Sequence, residues 1–317
     1  MKNSGSKVVI IGAGNVGSTF AFSLMKSGLA REIVLIDRDE KRAQGECMDL
    51  NHGAAFLPPV KIYPAGYEGC KGADVVVITA GSKQKPGESR LDLLQRNAGI
   101  VKEIVGSIVR HTKDAILLVV TNPVDIISYV TMKVSGFPNK KVIGSGTVLD
   151  TSRFRYLLSE HCRVDARNVH AYIIGEHGDT ELPVWSNANI AGIKLSSYCP
   201  LCSRKGCSYK KDLHKIFEEV KNSAYRIIEF KGATYYAIAL SLVKIVSAIL
   251  RDENSVLPVS GYMENCYGFN DLYLSIPAIV NRNGIERQLE IELSKEEAAQ
   301  LKASAQKLKS EIEKLKI

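Results

Sequence analysis

The chain has 317 residues, 45% of them hydrophobic and 24% charged, as is typical of a globular protein with one large or two ordinary domains. The formal net charge is +8, but lysines and arginines are spread without a basic block or interleaved aromatic residues, which favours small anions over nucleic acid as partners. The longest apolar stretch, residues 232–250, is interrupted by Lys244, so it predicts a buried amphipathic helix and no membrane span.

The N-terminus and the cysteines together indicate the cytoplasm. The apolar run Val8–Ile11 is too short for a signal peptide and leads directly into a glycine loop. Seven cysteines are an odd number, and Cys47, Cys70, Cys162 and Cys266 are scattered singly, which is typical of reduced thiols. We therefore expect a cytoplasmic protein without a disulfide framework.

The chain begins with a predicted strand, glycine loop, helix and second strand. Lys7–Ile11 has the apolar run of a buried strand, and the helical pattern after the loop ends near Gly28. The second strand, Glu32–Ile36, is closed by Asp37, roughly twenty positions beyond the G-x-G-x-x-G loop at Gly12–Gly17. This order and spacing are those of a dinucleotide-binding βαβ unit.

Each conspicuous residue of this unit has a predicted task. Gly12 permits a tight turn, Gly14 lets the backbone approach a pyrophosphate at the helix N-terminus, and Gly17 allows close packing of helix on strand. Asp37 would accept hydrogen bonds from the adenosine ribose and repel a 2′-phosphate, which favours NAD, although Arg38 and Arg42 nearby weaken that preference. The alternative is a glycine turn that merely starts a helix.

Strands and helices continue to alternate up to about residue 145. Strands are predicted at Asp74–Thr79, Ala115–Val120 and Lys141–Ile143, with helices at Leu91–His111 and after Pro123. This alternation predicts an α/β fold with a doubly wound parallel sheet over residues 1–145. Its ligand should lie at the carboxyl ends of the strands.

Residues 146–317 have a different organisation, a mixed α and β substrate domain. Helices are predicted at Thr151–His161, Leu213–Lys231, Thr234–Leu250 and from Ser294. Strands are predicted at Val169–Ile174, Val256–Tyr262, Leu272–Val280 and Arg287–Leu293, with a hairpin turn at Asn281–Gly284. The last helix begins with a capping box of Ser294 and Glu297, and its apolar residues recur at alternating three and four spacing, which predicts a face packed on the protein's own body or on a neighbouring subunit. We expect the helix at residues 232–250 to pack back at the active site.

A histidine between two glycines follows one of these strands. The run that ends at Gly175 leads into a polar turn in which His177 has the acidic neighbours Glu176 and Asp179. An imidazole has an unperturbed pKa of about 6.5, so His177 can carry a proton near neutrality. The alternative is a surface histidine in a turn.

Two arginines stand where they could bind an oxyanion or a carboxylate. Arg90 ends a polar loop after a strand, and such a loop can close over a substrate or can be an ordinary solvated connection. Arg153 stands three residues after Asp150, so the two can share one face at a helix start. The planar guanidinium suits a carboxylate, although Asp150 could also simply cap the helix while Arg153 lies on its surface.

Six segments in order resemble those of the bacterial L-lactate dehydrogenases, within the lactate and malate dehydrogenase superfamily. They are G-A-G-N-V-G, Q-K-P-G-E-S-R-L-D-L-L-Q-R-N, T-N-P-V-D, L-D-T-S-R-F-R, I-I-G-E-H-G-D-T-E and K-G-A-T-Y-Y-A-I-A, between residues 12 and 239. The resemblance implies a homotetramer that transfers a hydride between NADH and C2 of pyruvate, giving lactate.

The resemblance also implies a role for each matching residue. His177 would be the acid in reduction and the base in oxidation, oriented by Asp150, while Arg90 polarises the carbonyl and Arg153 binds the substrate carboxylate. Further substrate contacts are implied for Gln84, Asn122 and Thr234. Cofactor contacts are implied for Gly12, Gly14, Val16, Gly17, Asp37, Arg42, Tyr67, Gly81, Ser82, Asn97 and Asn122.

Gln84 distinguishes the two branches of the superfamily. Malate enzymes generally carry an arginine there to pair with the second carboxylate of oxaloacetate, and a neutral amide leaves that charge poorly compensated. Pyruvate is therefore the expected substrate, with malate or another 2-hydroxy acid as the alternative. A catalytically silent dinucleotide-binding protein is a third hypothesis, against which the intact set of His177, Asp150, Arg90 and Arg153 argues.

Arg155 and His170 match positions that bind fructose 1,6-bisphosphate between subunits of the allosteric bacterial enzymes. Two residues from Arg153 along a helix, Arg155 must point to a different face. The resemblance therefore implies that the sugar bisphosphate is an activating effector. A surface arginine and a strand histidine are the alternative.

Residues 198–209 depart from the family pattern by carrying Cys199, Cys202 and Cys207. A C-x-x-C pair can bind zinc or form a disulfide, but a fourth zinc ligand is unassigned and His214 is the only suggestion. We expect reduced thiols in a variable loop and no metal site.

Overall fold

The computed structural model describes residues 6–82, 90–201 and 209–315. The strands of the first half are β1 (Lys7–Ile11), β2 (Glu32–Ile36), β3 (Lys61–Pro64), β4 (Val75–Ile78), β5 (Ile116–Val119) and β6 (Val142–Gly144). The helices are α1 (Asn15–Ser27), α2 (Glu40–His52), α3 (Arg90–Ile108) and α4 (Val124–Ser135). Every strand predicted for this half is present, while β3 and α2 are additional.

The first six strands form a parallel sheet in the order β3-β2-β1-β4-β5-β6. Helices cover both faces of such a sheet, so the central strands β4 and β5 are continuous apolar runs that are buried throughout. The chain reverses direction across the sheet between β1 and β4, which is where ligands bind in folds of this order. The predicted doubly wound fold class is confirmed.

The additional elements have weak sequence signals. Of the residues in α2, Ala43 and Cys47 are buried, so its helical periodicity is nearly hidden among polar side chains. β3 is an edge strand of four residues that ends in Pro64. Because a proline argues against a strand in a sequence pattern, this segment was not predicted as one.

The second half contributes helices and short strands. The helices are α5 (Val148–Cys162), α6 (Leu195–Leu201), α7 (Tyr209–Lys231), α8 (Tyr236–Leu250) and α9 (Lys295–Glu313). The strands are β7 (Val169–His170), β8 (Ile173–Ile174), β9 (Leu182–Pro183), β10 (Asn189–Ile190), β11 (Ile193–Lys194), β12 (Ser255–Leu257), β13 (Ser260–Cys266), β14 (Phe269–Ser275), β15 (Ala278–Asn281) and β16 (Gly284–Gln288). The mixed composition predicted for this half is present.

Four of the strands predicted for the second half have wrong bounds. The run Val169–Ile174 divides into β7 and β8, because β7 pairs with β10 while β8 pairs with β9 in another sheet. The two runs that begin at Val256 and Leu272 are each broken near a proline, Pro258 and Pro277, which cannot donate to a strand ladder. The last strand begins at Gly284 and ends at Gln288, since it pairs directly across the tight Asn281–Gly284 hairpin, which was predicted.

The two halves share one sheet. β13 pairs antiparallel with β6 and β14 pairs with β13, so strands from both sides of residue 145 extend the same layer. α8 packs against α1, and its apolar residues join the core on that face of the sheet. The placement of α8 at the active site stays a prediction.

The last helix seals the opposite face. Ser294 caps α9 with Glu297 in the predicted capping box, and Leu301, Ala305 and Leu308 are buried in the core beside β14. The apolar stripe of α9 is therefore covered by the protein's own body. Within residues 6–82, 90–201 and 209–315, no helix combines the length and apolar character needed to cross a membrane.

Candidate active site

The histidine turn is the loop of residues 175–181 between β8 and β9. Ile174 pairs with Leu182 across its base, so both ends of the loop are fixed in register. Gly175 has a φ of +95° and exchanges two backbone hydrogen bonds with Ser275 of β14. A side chain is strongly disfavoured at that φ, which explains the glycine immediately before the turn.

His177 and Asp150 form a hydrogen-bonded pair. The Nδ1 atom of His177 lies 2.6 Å from Oδ2 of Asp150, which stands in the first turn of α5. Arg153, one helical turn on, donates from Nη1 to Oδ1 of Asp150 over 2.8 Å. The Asp150 side chain is 3% exposed and that of His177 is 25% exposed, so the imidazole connects a buried carboxylate with the surface. The structure therefore brings together three residues that the resemblance assigns to one site, and their roles stay predictions.

The electrostatics of the pair favour a proton on the imidazole. Burial alone would lower the pKa of His177, but the charge and hydrogen bond of Asp150, with contributions from Glu181 and Asp125, raise it to about 9. Burial likewise opposes ionisation of Asp150, yet His177 and Arg153 outweigh it and lower its pKa. Because an ionised carboxylate only accepts, Nδ1 carries a hydrogen and Nε2 is the nitrogen available for proton exchange.

Asp125 supports the histidine turn from α4, a role that the sequence did not reveal. It is 2% exposed, and its Oδ2 accepts the backbone N–H of His177 over 2.8 Å. Its Oδ1 accepts the hydroxyl of Ser260 over 2.6 Å. Burial raises the pKa of Asp125 to about 6 despite these hydrogen bonds. The residue stands in the T-N-P-V-D segment, where it resembles an ordinary acidic residue of a first helical turn.

A second support comes from α9. The backbone N–H of Glu176 donates to Oγ of Ser304 over 2.9 Å, and Nζ of Lys307 lies 2.9 Å from Oε2 of Glu176. Thr180 donates its hydroxyl to the same carboxylate. Glu176 and Ser304 are separated by 128 residues, and no local pattern in the sequence predicts such a contact.

Glu181 is the other buried acid that sequence reasoning missed. It is 7% exposed, and ligand-type atoms of Asp150, His177 and Glu181 all lie within 4.8 Å of one another. Within the part of the chain that the structure describes, these three are the His, Cys, Asp and Glu side chains that lie close enough together to hold a metal ion. However, Asp150 already accepts hydrogen bonds from Nδ1 of His177 and from Arg153, so its two oxygens serve hydrogen bonding and charge pairing. The expectation of no metal site stays a prediction.

The glycine loop between β1 and α1 fits a dinucleotide. A Cβ on Gly17 would lie 1.8 Å from the carbonyl oxygen of Gly12, whereas a Cβ on Gly14 would meet nothing within 4 Å. The first turn of α1 contains no acidic residue, and Val16 packs there beside the core. Asp37 accepts the backbone N–H of Ala13 over 2.7 Å, which ties the end of β2 to the loop. The open space above Gly14 at a helix N-terminus suits a pyrophosphate.

Two further loop ends meet at this crevice. Asn97 of α3 is 2% exposed, and its amide accepts from the backbone of Ser82 and donates to the carbonyl oxygens of Ser82 and Asn122. A Cβ on Gly81 would lie 2.5 Å from the Thr121 methyl carbon, so these loops approach closely. Asn97 thus joins the strand ends as a structural bridge, and its direct contact with a cofactor stays a prediction.

The other predicted site residues lie at the margins or outside the description. Asn122 is exposed beside the loop ends, Arg42 is exposed on α2, Tyr67 is half-buried, and Thr234 is half-buried in the link between α7 and α8. Gln84 lies outside the described residues. The backbone of Arg90 begins α3, and its side chain lies outside the description, so the loop-closing roles of these two stay predictions.

Arg155 and His170 lie on adjacent elements. Nε of Arg155 donates to the carbonyl oxygen of Ala171 over 3.0 Å, and its guanidinium lies over the Tyr172 ring at 5.3 Å from the centroid. His170 is exposed on β7 and pairs with Asn189. Arg155 thus contacts Ala171 and Tyr172, whereas Arg153 contacts Asp150, and the binding of an effector by Arg155 and His170 stays a prediction.

The cysteines divide into two groups. Cys47, Cys70, Cys162 and Cys266 are all buried, and Cys47, Cys70 and Cys266 carry free thiols. The expectation of reduced thiols stays a prediction. Cys202 and Cys207 lie outside the described residues, as does the side chain of Cys199, so the prediction for that segment stays untested.

Two family models match the chain. The NAD-binding domain of lactate/malate dehydrogenase matches residues 6–144, and the α/β C-terminal domain of lactate/malate dehydrogenase matches residues 147–316. Together they cover almost the whole sequence.

Individual relatives agree with these models. An L-lactate dehydrogenase of Acetivibrio thermocellus is 58% identical over 98% of both chains, and one of Geobacillus stearothermophilus is 52% identical over 97% of this chain and 96% of its own. The crystal structure of the minor L-lactate dehydrogenase of Enterococcus mundtii in a ligand-bound form superposes with a TM-score of 0.94 at 40% identity, covering 98% of this chain and 99% of that chain.

Proposed function

The chain belongs to the lactate/malate dehydrogenase family and is an NAD-dependent L-lactate dehydrogenase, and on that premise we propose that it reduces pyruvate to L-lactate through His177. The observation that carries the proposal is the 2.6 Å hydrogen bond between Nδ1 of His177 and the buried carboxylate of Asp150. It fixes the tautomer and the orientation of a histidine whose other nitrogen faces the site.

The proton chemistry follows from this pair. NADH, when bound, supplies the hydride that reaches C2 of pyruvate. Nε2 of the protonated His177 gives its proton to the carbonyl oxygen, so one hydride and one proton convert the ketone into the alcohol. Asp150 keeps the imidazole protonated until transfer, because it raises the pKa of His177 above the unperturbed value. In lactate oxidation the neutral imidazole takes the proton back.

Arginines position the substrate in this scheme. Arg153 uses one of its five N–H donors on Asp150, and its guanidinium fork pairs with the substrate carboxylate beside the histidine. Arg90, at the start of α3, polarises the carbonyl oxygen as charge develops. Asn122 and Thr234 line the pocket. Gly12–Gly17 would hold the pyrophosphate of the cofactor and Asp37 its adenosine ribose. Gly81 would contact the cofactor as well, and Asn122 would bind substrate beside the nicotinamide, which would supply the hydride.

Gln84 and the Arg155 region define the finer function. Gln84 carries no charge for a second carboxylate, which favours pyruvate over oxaloacetate. Arg155 and His170 stand at the two positions where, in this proposal, fructose 1,6-bisphosphate binds and activates the enzyme. The working form is a cytoplasmic homotetramer, with residues 1–145 binding the cofactor and residues 146–317 supplying the catalytic histidine.

One series of assays tests the proposal. NADH loss is followed with pyruvate, oxaloacetate and 2-oxoisocaproate in parallel, each with and without millimolar fructose 1,6-bisphosphate. We expect pyruvate to be reduced with the highest kcat/KM and the effector to lower its apparent KM. A preference for oxaloacetate would favour a malate dehydrogenase, an unchanged KM would remove the effector, and inactivity with all three would contradict the enzyme.

A further inference from the structure

Glu181 stands at the base of the histidine turn with its carboxyl beside the catalytic pair. Its backbone N–H donates to the carbonyl oxygen of Gly178 over 3.1 Å, and it immediately precedes β9. Because Ile174 and Leu182 are paired, the distance between Glu181 and His177 is set by the hairpin base. Glu181 is therefore held within 4.8 Å of both His177 and Asp150.

Two buried carboxyl groups so close together do not ionise alike. Each negative charge disfavours the other, and the loss of water penalises both. Asp150 accepts direct hydrogen bonds from His177 and Arg153, and these bonds favour its ionised form. Of the two carboxyl groups, Asp150 is therefore the one that is ionised, and Glu181 is the one that keeps its proton to higher pH.

The charged groups around Glu181 come from three elements. His177 faces it from its own turn, Asp150 and Arg153 face it from α5, and Lys221 faces it from α7. Burial and the charge of Asp150 raise the pKa of Glu181 to about 8, and they outweigh the opposing effect of the three cationic groups. Glu181 is thus neutral at pH 7 and becomes a carboxylate only in the alkaline range.

We propose that Glu181 is a positioning residue of the catalytic site. Its carboxyl group ionises as the pH rises, and the negative charge then holds the proton on His177. The inference rests on the proposed role of His177 as proton carrier. On this proposal the site contains a second carboxyl group that is uncharged near pH 7. When this group ionises, it extends pyruvate reduction into the alkaline range.

The proposal predicts opposite effects on the two directions of the reaction. Glu181→Gln removes the carboxylate that supports the imidazolium, so the alkaline limb of kcat/KM for pyruvate reduction should move down by about one pH unit. At pH 9 reduction should fall by about fivefold, while at pH 6.5 it should match the parent. Lactate oxidation, which needs neutral His177, should instead become faster near pH 8.

Two matched variants isolate the buried charge. Glu181→Asp keeps an ionisable group and should return the alkaline limb toward the parent value. Asp179→Asn removes a carboxylate from an exposed position of the same turn, where it accepts a hydrogen bond from the Tyr225 hydroxyl, and should leave both profiles unchanged because charges at exposed positions are screened. NADH binding, followed by fluorescence, provides the check that each variant is folded.

The outcomes separate this inference from the proposed function. A parent enzyme without turnover would contradict the role of His177 itself. An active parent with a Glu181→Gln profile of unchanged shape, or one uniformly lowered in both directions, would overturn the inference alone. Failure of Glu181→Gln to bind NADH would overturn it too, since a neutral amide should replace a neutral carboxyl without harm.

Discussion

The glycine loop that receives the cofactor and the histidine turn that carries the proton are built on different physical principles. The loop is made of backbone, glycines and one carboxylate, Asp37, whose hydrogen bond to Ala13 spans 24 residues. The turn is supported by carboxyl groups and hydroxyls from α4, α5 and α9, and the contact between Glu176 and Ser304 spans 128 residues. Steric fit dominates the first region, and buried charge dominates the second.

This difference separates the consequences of mutation. A change in the loop should alter cofactor affinity at every pH, because the requirement there is space for a phosphate group. A change in the turn should alter proton transfer or its pH dependence and leave cofactor affinity nearly intact, because the pKa of His177 depends on neighbouring charges. The two regions can therefore be broken independently.

The largest effect should come from His177→Asn. The amide has roughly the size of the ring but cannot carry a proton, so kcat for pyruvate reduction should fall by about a thousandfold. NADH binding should remain within about twofold of the parent, since the residue lies in the turn and not in the glycine loop. Stopped-flow turnover and fluorescence titration of NADH measure the two quantities.

An exposed histidine serves as the control for that variant. His111, just after α3, is exposed, and His111→Asn should change neither kcat nor NADH affinity. Near-normal turnover of His177→Asn would remove the histidine from the mechanism. Loss of NADH binding in the same variant would mean that the two regions are not independent.

A smaller effect should come from Gly14→Ala, which should lower NADH affinity, whereas His177→Asn should lower kcat. A methyl group there meets no protein atom within 4 Å, so the fold and the melting temperature should be preserved. The methyl group would occupy the space of the pyrophosphate, and NADH affinity should fall by about tenfold to a hundredfold at every pH. Calorimetric titration and thermal unfolding provide the measurements.

Two other glycines calibrate the result. Gly17→Ala would push a methyl group into the carbonyl oxygen of Gly12, so it should destabilise the fold itself. Gly45→Ala, in α2, meets nothing within 4 Å and should raise stability slightly without touching NADH binding. Unchanged NADH affinity in Gly14→Ala would contradict the placement of the pyrophosphate.

The same contrast explains what could be predicted from the sequence. The strand, glycine loop and helix are consecutive, so their apolar runs and spacing predicted both the elements and the crevice. The close pair Asp150 and Arg153 was predictable because three residues along a helix bring side chains together. Local periodicity also located α9, whose capping box is present as expected.

The supports of the histidine turn could not be predicted in this way. Asp125 and Ser260 are 135 residues apart, and each lies in a segment with another apparent purpose. Glu181 stands within a recognised motif, yet the charges that act on it come from Asp150 and Arg153 of α5 and Lys221 of α7, which no periodicity of its own segment encodes. Strand boundaries failed for a related reason, since β7 and β8 are separated by their partners and not by their own residues.

The smallest effect should come from Lys307→Met, which removes the ion pair between α9 and Glu176. The pair spans 2.9 Å between side chains that are 28% and 10% exposed, so its loss should lower the free energy of unfolding by about 1 kcal/mol. Glu176 would keep the Thr180 hydroxyl as a donor, and its backbone would keep Ser304. Urea unfolding measures the change, and kcat should fall by no more than about twofold.

Lys309→Met, at an exposed position of the same helix, provides the matched control and should change neither quantity. If Lys307→Met instead reduced kcat as strongly as His177→Asn while NADH affinity stayed normal, the Lys307 charge would have to act on the proton itself. That result would extend the electrostatic region from the His177 and Asp150 pair through Glu176 to α9. An unchanged kcat would confine α9 to a mechanical role, holding the turn by its backbone while α5 and Glu181 set its charge.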